Sequence, residues 1–291
     1  MPRGLDHIVH AVRNLDASAD LYRRLGFTVG ARNRHPWGTH NHIVQFPGCF
    51  IELLTLAEPD KLGSDGFSTL FGAYNRDFLQ RGEGLSVLIL ESRDAHADES
   101  EFREAGILTA PAMRFEREGK RPDGASVKVA FSLTFANDEA SPDIRFATCQ
   151  QHYPENFWNP AFHQHSNSVA GVVGVVVVAN QPEQHQKFFE VFADAPAVAR
   201  PGGFAIATSR GMIEVVSPAA FLQRFGVKPP DMTRGARLAA LRFAVTQPSR
   251  LQAVPELAGI AGLYVGNDAI IGSEDAMGAI LVFEPSAQKH R

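Results

Sequence analysis

Few architectures suit a chain that repeats one order of elements, strand, helix, then three strands, four times in 291 residues. In the first unit LDHIVHAV (5–12) reads as a strand. Leu15, Ala19, Tyr22 and Leu25 then recur at helical spacing,. The polar stretch FTVGARNRHPWGTHN follows, then HIVQF and CFIELLTL joined at Pro47-Gly48,. A second unit over 85–153 runs LSVLILES, DESEFREAGI, PAMRFEREG, SVKVAFSLTFA and IRFATCQQHY. A third covers 172–217, and a less regular fourth begins with LAALRFAV at 238 and ends in the strands LYVGNDAIIG and GAILVFEP. Aligning IVQFPGCFIELLT (43–55) with AIATSRGMIEVVS (205–217) sets Glu52 over Glu214, as a duplicated ancestor would,. The Pro- and His-rich HYPENFWNPAFHQHSNS (152–168) separates units two and three. The expected division is therefore a domain of residues 1–165 and a domain of residues 166–291, two units each.

Composition narrows the function. A hydrophobic content of 44% fills a core, and a net charge of −4 gives no basic field for nucleic acid,. The longest apolar run, VAGVVGVVVVA (169–179), is too short for a bilayer of about 20 helical residues and reads as a buried strand,. Two distant cysteines, Cys49 and Cys149, make no disulfide framework, and the N-terminus lacks the three-part pattern of a secretory signal,. These features predict a cytoplasmic protein without nucleic-acid or membrane partners. No nucleophile elbow, P-loop, dinucleotide fingerprint or CxxC pair occurs,.

His7 and Glu52 are ionisable residues set among apolar neighbours in their strands. Alternation puts Leu5, His7, Val9 and Ala11 on one face, Asp6, Ile8, His10 and Val12 on the other, and Phe50, Glu52 and Leu54 on one face of the last strand,. If His7 and Glu52 share the enclosed face, an imidazole and a carboxylate converge there. A buried carboxylate needs a cation or donors, and a divalent metal supplies that need. Against this stands the satisfied core histidine, and Glu214, which occurs in unit three with no histidine at the place of His7.

HIVHAVRNLDASADLYRRLGF with the glutamate strand FIELL resembles the vicinal-oxygen-chelate superfamily, and RHPWGTHN (34–41) with CQQHYPENFWNPAFHQH (149–165) resembles its glyoxalase-like domains. The superfamily includes glyoxalase I, extradiol dioxygenases and metal-free antibiotic-binding proteins. The resemblance implies an α+β fold: four βαβββ modules paired into two open, cup-shaped mixed β-sheets, with helices outside. It implies a metal held by His7 and Glu52. The opening strand of unit two offers Val87 or Ser86 instead of a ligand, so its last strand would contribute His152, or Gln150 nearer mid-strand.

The expected activity is that of a metal-dependent lyase or isomerase acting on a small oxygen-rich substrate, with Fe, Mn, Ni or Zn as Lewis acid and Glu52 doubling as base. His35, Thr39, His40, Asn41 and Gln150 are the substrate-binding candidates. Two alternatives stay open: a ring-cleaving dioxygenase, and a metal-free protein that sequesters a small molecule. His163 and His165 have the spacing of a metal pair, although alternate loop histidines seldom bind one. EREGKRPDG (116–124) reads as a solvated hairpin and SAQKHR as a disordered tail. Residues 166–291 read as structural. The homodimer is an expectation on which the sequence has no direct bearing.

Overall fold

The structure, a computed structural model, describes residues 1–120, 124–251 and 253–286. Residues 121–123 of the EREGKRPDG run and 287–291 of the C-terminal tail lie outside the described residues. The first eight strands are β1 (Leu5–Ala11), β2 (Asn33–Arg34), β3 (Thr39–Phe46), β4 (Cys49–Leu56), β5 (Gly84–Glu91), β6 (Leu108–Lys120), β7 (Ser126–Ala136) and β8 (Arg145–Gln151). They form one sheet in the order β2-β3-β4-β1-β5-β8-β7-β6. Units one and two thus pair with each other, through antiparallel β1 and β5 at the centre. The second sheet repeats the plan with β9 (Val169–Val178), β10 (Ala197–Arg200), β11 (Gly203–Ala207), β12 (Met212–Val216), β13 (Arg237–Val245), β14 (Leu263–Val265), β15 (Asp268–Ile271) and β16 (Ile280–Pro285). Its order, β10-β11-β12-β9-β13-β16-β15-β14, is the same topology.

Helices α1 (Leu15–Arg24) and α3 (Ala95–Glu104) lie on the outer face of the first sheet. Asn14 caps α1 by accepting from Ala17 N–H, and Asp94 caps α3 by accepting from His96 and Ala97 N–H,. α1 turns Leu15, Leu21 and Tyr22 onto Ile8, Ile51 and Leu53, in one core that continues into the second sheet. There Phe27 packs on Phe243 at 5.3 Å, and Phe146 on Phe192 of α5 (Gln186–Ala193), also at 5.3 Å. Burial on this scale, roughly 2 kcal/mol for each fully enclosed large side chain, binds the halves together.

Two further helices lie against the inner faces, where the sequence pattern places none. In the first sheet the segment after β4 forms a π-helical turn (Ser68–Ala73) running into α2 (Tyr74–Arg81). Phe71 and Tyr74 pack with Val87, Ile89 and Leu133, and Phe78 packs against Ala11. In the second sheet α6 (Pro218–Phe225) occupies the equivalent place, and its Phe221 and Phe225 join Val176, Val178 and Val282 in a filled core. Glu214 is half of an ionic cluster there, bonded to Arg224 and Arg242 at 2.5 Å each, while Arg242 also pairs with Glu284. Two arginines neutralise it, so its burial requires no metal.

Candidate active site

The inner face of the first sheet keeps a cavity of about 650 Å³, mouth included, where aromatic side chains meet a few polar ones. Alternation explains its lining. β4 sends Phe50 and Glu52 inward and Cys49, Ile51 and Leu53 outward, while β3 sends Asn41 and Ile43 inward,. On β1 the alternation fails at one point. The register with β5 shifts between Leu5 and His7, a bulge at Asp6. Leu5 joins the outer core, and Asp6 turns to the same side as His7 instead of the opposite one,.

That bulge gives His7 its setting. Asp6 Oδ1 accepts from His7 Nδ1 at 2.5 Å and Asp6 Oδ2 accepts from Gln151 Nε2 at 2.9 Å. The imidazole is stacked on Phe50, with centroids 4.2 Å apart. With Nδ1 committed to Asp6, Nε2 is the ring nitrogen left without a hydrogen-bond partner among the described residues,. Glu52 is 4% exposed. Its Oε1 accepts from Asn41 Nδ2 at 2.5 Å, and Asn33 Nδ2 in turn donates to Asn41 Oδ1. Burial raises the Glu52 pKa, opposed by the nearby His7 and by the Asn41 bond,.

His35, in the turn between β2 and β3, completes a trio. Its ring stacks on Trp37 at 4.6 Å, Nδ1 bonds Thr39 Oγ1 at 2.8 Å, and Nε2 stands 3.9 Å from Glu52 Oε1. Burial, with Arg117, His40 and His7 adding positive charge, holds its pKa down at about 3, so the ring is neutral.

His7 and Glu52 share the cavity, with His35 and Asn41 beside them. Thr39 reaches it through His35. His40 turns away and bonds Glu58 Oε2 at 2.8 Å. Gln150 and His152 are on the outer side of β8, because Ala147 and Cys149 take the inner phase. Gln150 receives Ala95 N–H at the start of α3 and donates to Arg93 O; His152 bonds Ser132. Val87 is on the inner side, and Ser86 bonds Asn75. His165 has both ring nitrogens engaged, with Thr28 N–H and Gln45 O, so it is no half of a metal pair. Phe157 from the crossing segment reaches the cavity and packs on Phe50 at 5.1 Å. The 116–124 run is not wholly solvated either, since Arg117 also lines the cavity. Its signal was in the sequence: in MRFEREG, Arg117 is in phase with Met113 and Phe115.

The donor set can be tested against a divalent ion. Asp6, His7 and Cys149 form the compact cluster of ligand atoms among the described residues, within 4.8 Å of one another. However, Asp6 and His7 are committed to each other, and burial with Asp6 and Glu52 nearby raises the Cys149 pKa, favouring the thiol over the thiolate that metals bind,. His7, His35 and Glu52 are more widely spaced but chemically apt. Each has one polar atom held by Asp6, Thr39 or Asn41, and among the described residues no hydrogen bond occupies His7 Nε2, His35 Nε2 or Glu52 Oε2. Backing partners of this kind are what orient metal ligands. By donor type the three suit a divalent cation as two imidazoles and one carboxylate; as they stand, their free atoms do not share the 4.8 Å spacing of the Asp6, His7 and Cys149 cluster, so side-chain movement would have to bring them onto one ion.

Two packed βαβββ pairs with a polar group on the first and last strands of the first module define a vicinal-oxygen-chelate protein. Within that superfamily the chain belongs to the glyoxalase-like domain family, whose model matches residues 5–192. No curated protein matches it in sequence. Among solved structures it is similar to a hypothetical protein from Staphylococcus aureus, at TM-score 0.69 and 15% identity over 97% of this chain and 99% of that one. It is also similar to a mutant 4-hydroxymandelate synthase from Streptomyces coelicolor, at 0.56 and 13% over 91% and 77%. A xylose isomerase-like TIM barrel/4-hydroxyphenylpyruvate dioxygenase fusion protein follows at 0.52 and 14%, over 91% and 40%. At these identities the likeness is one of fold.

Proposed function

We propose that the protein is a metal-dependent lyase or isomerase that takes a small oxygen-rich substrate into the aromatic cavity and shifts a proton on it with Glu52. The observation that carries this reading is that His7, His35 and Glu52, each held from behind, line one aromatic-walled cavity. These three would hold the ion, His35 standing where His152 was expected. When bound, a divalent ion (Fe, Mn, Ni or Zn) supplies Lewis-acid stabilisation of negative charge on substrate oxygens. Burial raises the proton affinity of Glu52 and Asn41 fixes its Oε1, so Oε2 would take the proton once it leaves the ion,. Phe50, Phe157 and Trp37 exclude water and seat the flat part of the substrate.

The test is elemental analysis of untagged protein purified without chelator. Wild type should carry about one equivalent of metal per chain, His7→Ala and Glu52→Ala much less, and His152→Ala the wild-type amount. Low metal content unchanged by either of the first two substitutions would overturn the proposal. It would favour the second reading, a sequestering protein, for which Val87 in place of a fourth ligand is the supporting observation. The metal's identity would separate Lewis-acid chemistry from an oxygen-dependent dioxygenase.

A further inference from the structure

Among the described residues, the other arginines with buried or half-buried side chains have partners. Arg3 is paired with Asp98 and Glu101, Arg242 with Glu214 and Glu284, and Arg237 with Asp143, while Arg145 stands over the Tyr74 ring at 4.5 Å. Arg117 differs. It is half-buried on β6 beside Phe115, faces the cavity, and among the described residues has no carboxylate partner and no aromatic ring beneath it. Its one hydrogen bond among the described residues, to Glu118 O at 3.4 Å, is long. Desolvation without a counter-charge lowers its pKa. An uncompensated guanidinium costs free energy that a bound anion would return.

We propose that Arg117 anchors an anionic group of the substrate, which makes the ligand a small carboxylic acid with a flat, aromatic body. The inference rests on the aromatic cavity being the binding site. The carboxylate follows from the single guanidinium, whose fork matches two carboxylate oxygens, whereas a dianionic phosphate would call for more donors than Arg117 offers. The aromatic body follows from the walls, where Phe50, Phe115, Phe131 and Phe157 line the same cavity as Arg117 and Glu52,. The acid would then lie between Arg117 and the metal-binding trio, its oxygen-bearing carbon toward Glu52.

The experiment is calorimetric titration of the full chain with phenylacetate and with neutral phenylacetamide, in metal-loaded and chelator-treated protein, for wild type, Arg117→Met and Arg117→Lys. Wild type should favour the carboxylate by about tenfold or more, with or without metal. Arg117→Met should erase that preference and leave amide binding within about twofold, and Arg117→Lys should restore part of it, because a single charge remains. Equal affinities in wild type, no saturable carboxylate binding, or a preference that survives Arg117→Met would overturn the inference. A preference lost on chelation yet kept in Arg117→Met would assign the carboxylate to the metal and leave the proposed function standing. A metal-free protein whose preference depends on Arg117 would do the reverse.

Discussion

Residue types declare His7 and Glu52 in the sequence, because a histidine and a glutamate inside apolar strands need a reason to be there. Asp6 was not legible in the same way. Strict alternation sends it to the opposite face, and only the bulge against β5 brings its carboxylate to His7 Nδ1. Asp6 is a positioning residue that fixes the ring's tautomer, so Asp6→Asn should keep the fold and weaken metal affinity by about 10- to 100-fold. Competition with a chromogenic chelator measures this, and unchanged affinity would reduce the Asp6–His7 bond to a structural contact. His152 was the natural choice by chemistry, since imidazole is a better donor than amide, but strand phase decides which side chains reach a cavity, and β8 presents Cys149 there.

Elements place what residues offer. The turn between β2 and β3 delivers His35 through a backbone path that only glycine follows easily: Gly38 has φ +89°, and an added Cβ would lie 2.1 Å from Glu58 O,. Gly38 O also accepts from Ala57 and Glu58 N–H, tying the turn to the chain after β4. Gly38→Ala should cost about 1–3 kcal/mol and lower metal occupancy as His35 shifts. Urea unfolding with metal analysis would show both, and full occupancy in a destabilised variant would remove His35 from the metal set. The loop was recognisable as polar and turn-rich, but whether each of His35, Thr39, His40 and Asn41 faces in or out depends on the pairing of β3 with β4, which periodicity in so short a stretch does not supply. The inner helix α2 is not legible in the sequence because helical spacing there is divided between the π-helical turn and only eight α-helical residues.

At the scale of the whole molecule His165 fastens the crossing segment to the first sheet. Thr28 N–H donates to Nδ1 and Nε2–H donates to Gln45 O, an arrangement that only the neutral ring permits. Burial is the main cause that lowers its pKa from 6.5 to about 4. A depressed folded-state pKa means that the unfolded chain takes up the proton first, so this stabilisation is complete above about pH 6.5 and is lost as pH falls toward 4,. Thermal midpoints between pH 7 and 4.5 should fall less steeply in His165→Gln than in wild type; parallel curves would contradict the assignment. No helix among the described residues is long and apolar enough to cross a membrane.

The sequence by itself determined the fourfold element order and the presence of a histidine and a glutamate on matched strands of the first module. These are properties of periodicity and residue type, and both are local. Tertiary structure alone decided which cup stays open. The first sheet keeps its cavity, whereas in the second Phe221 and Phe225 help fill the core and two arginines neutralise Glu214. It also decided that His35 and Arg117, far apart in the chain, share that cavity with His7 and Glu52, because strand register and one bulge fix where a side chain ends, and both depend on the partner strand.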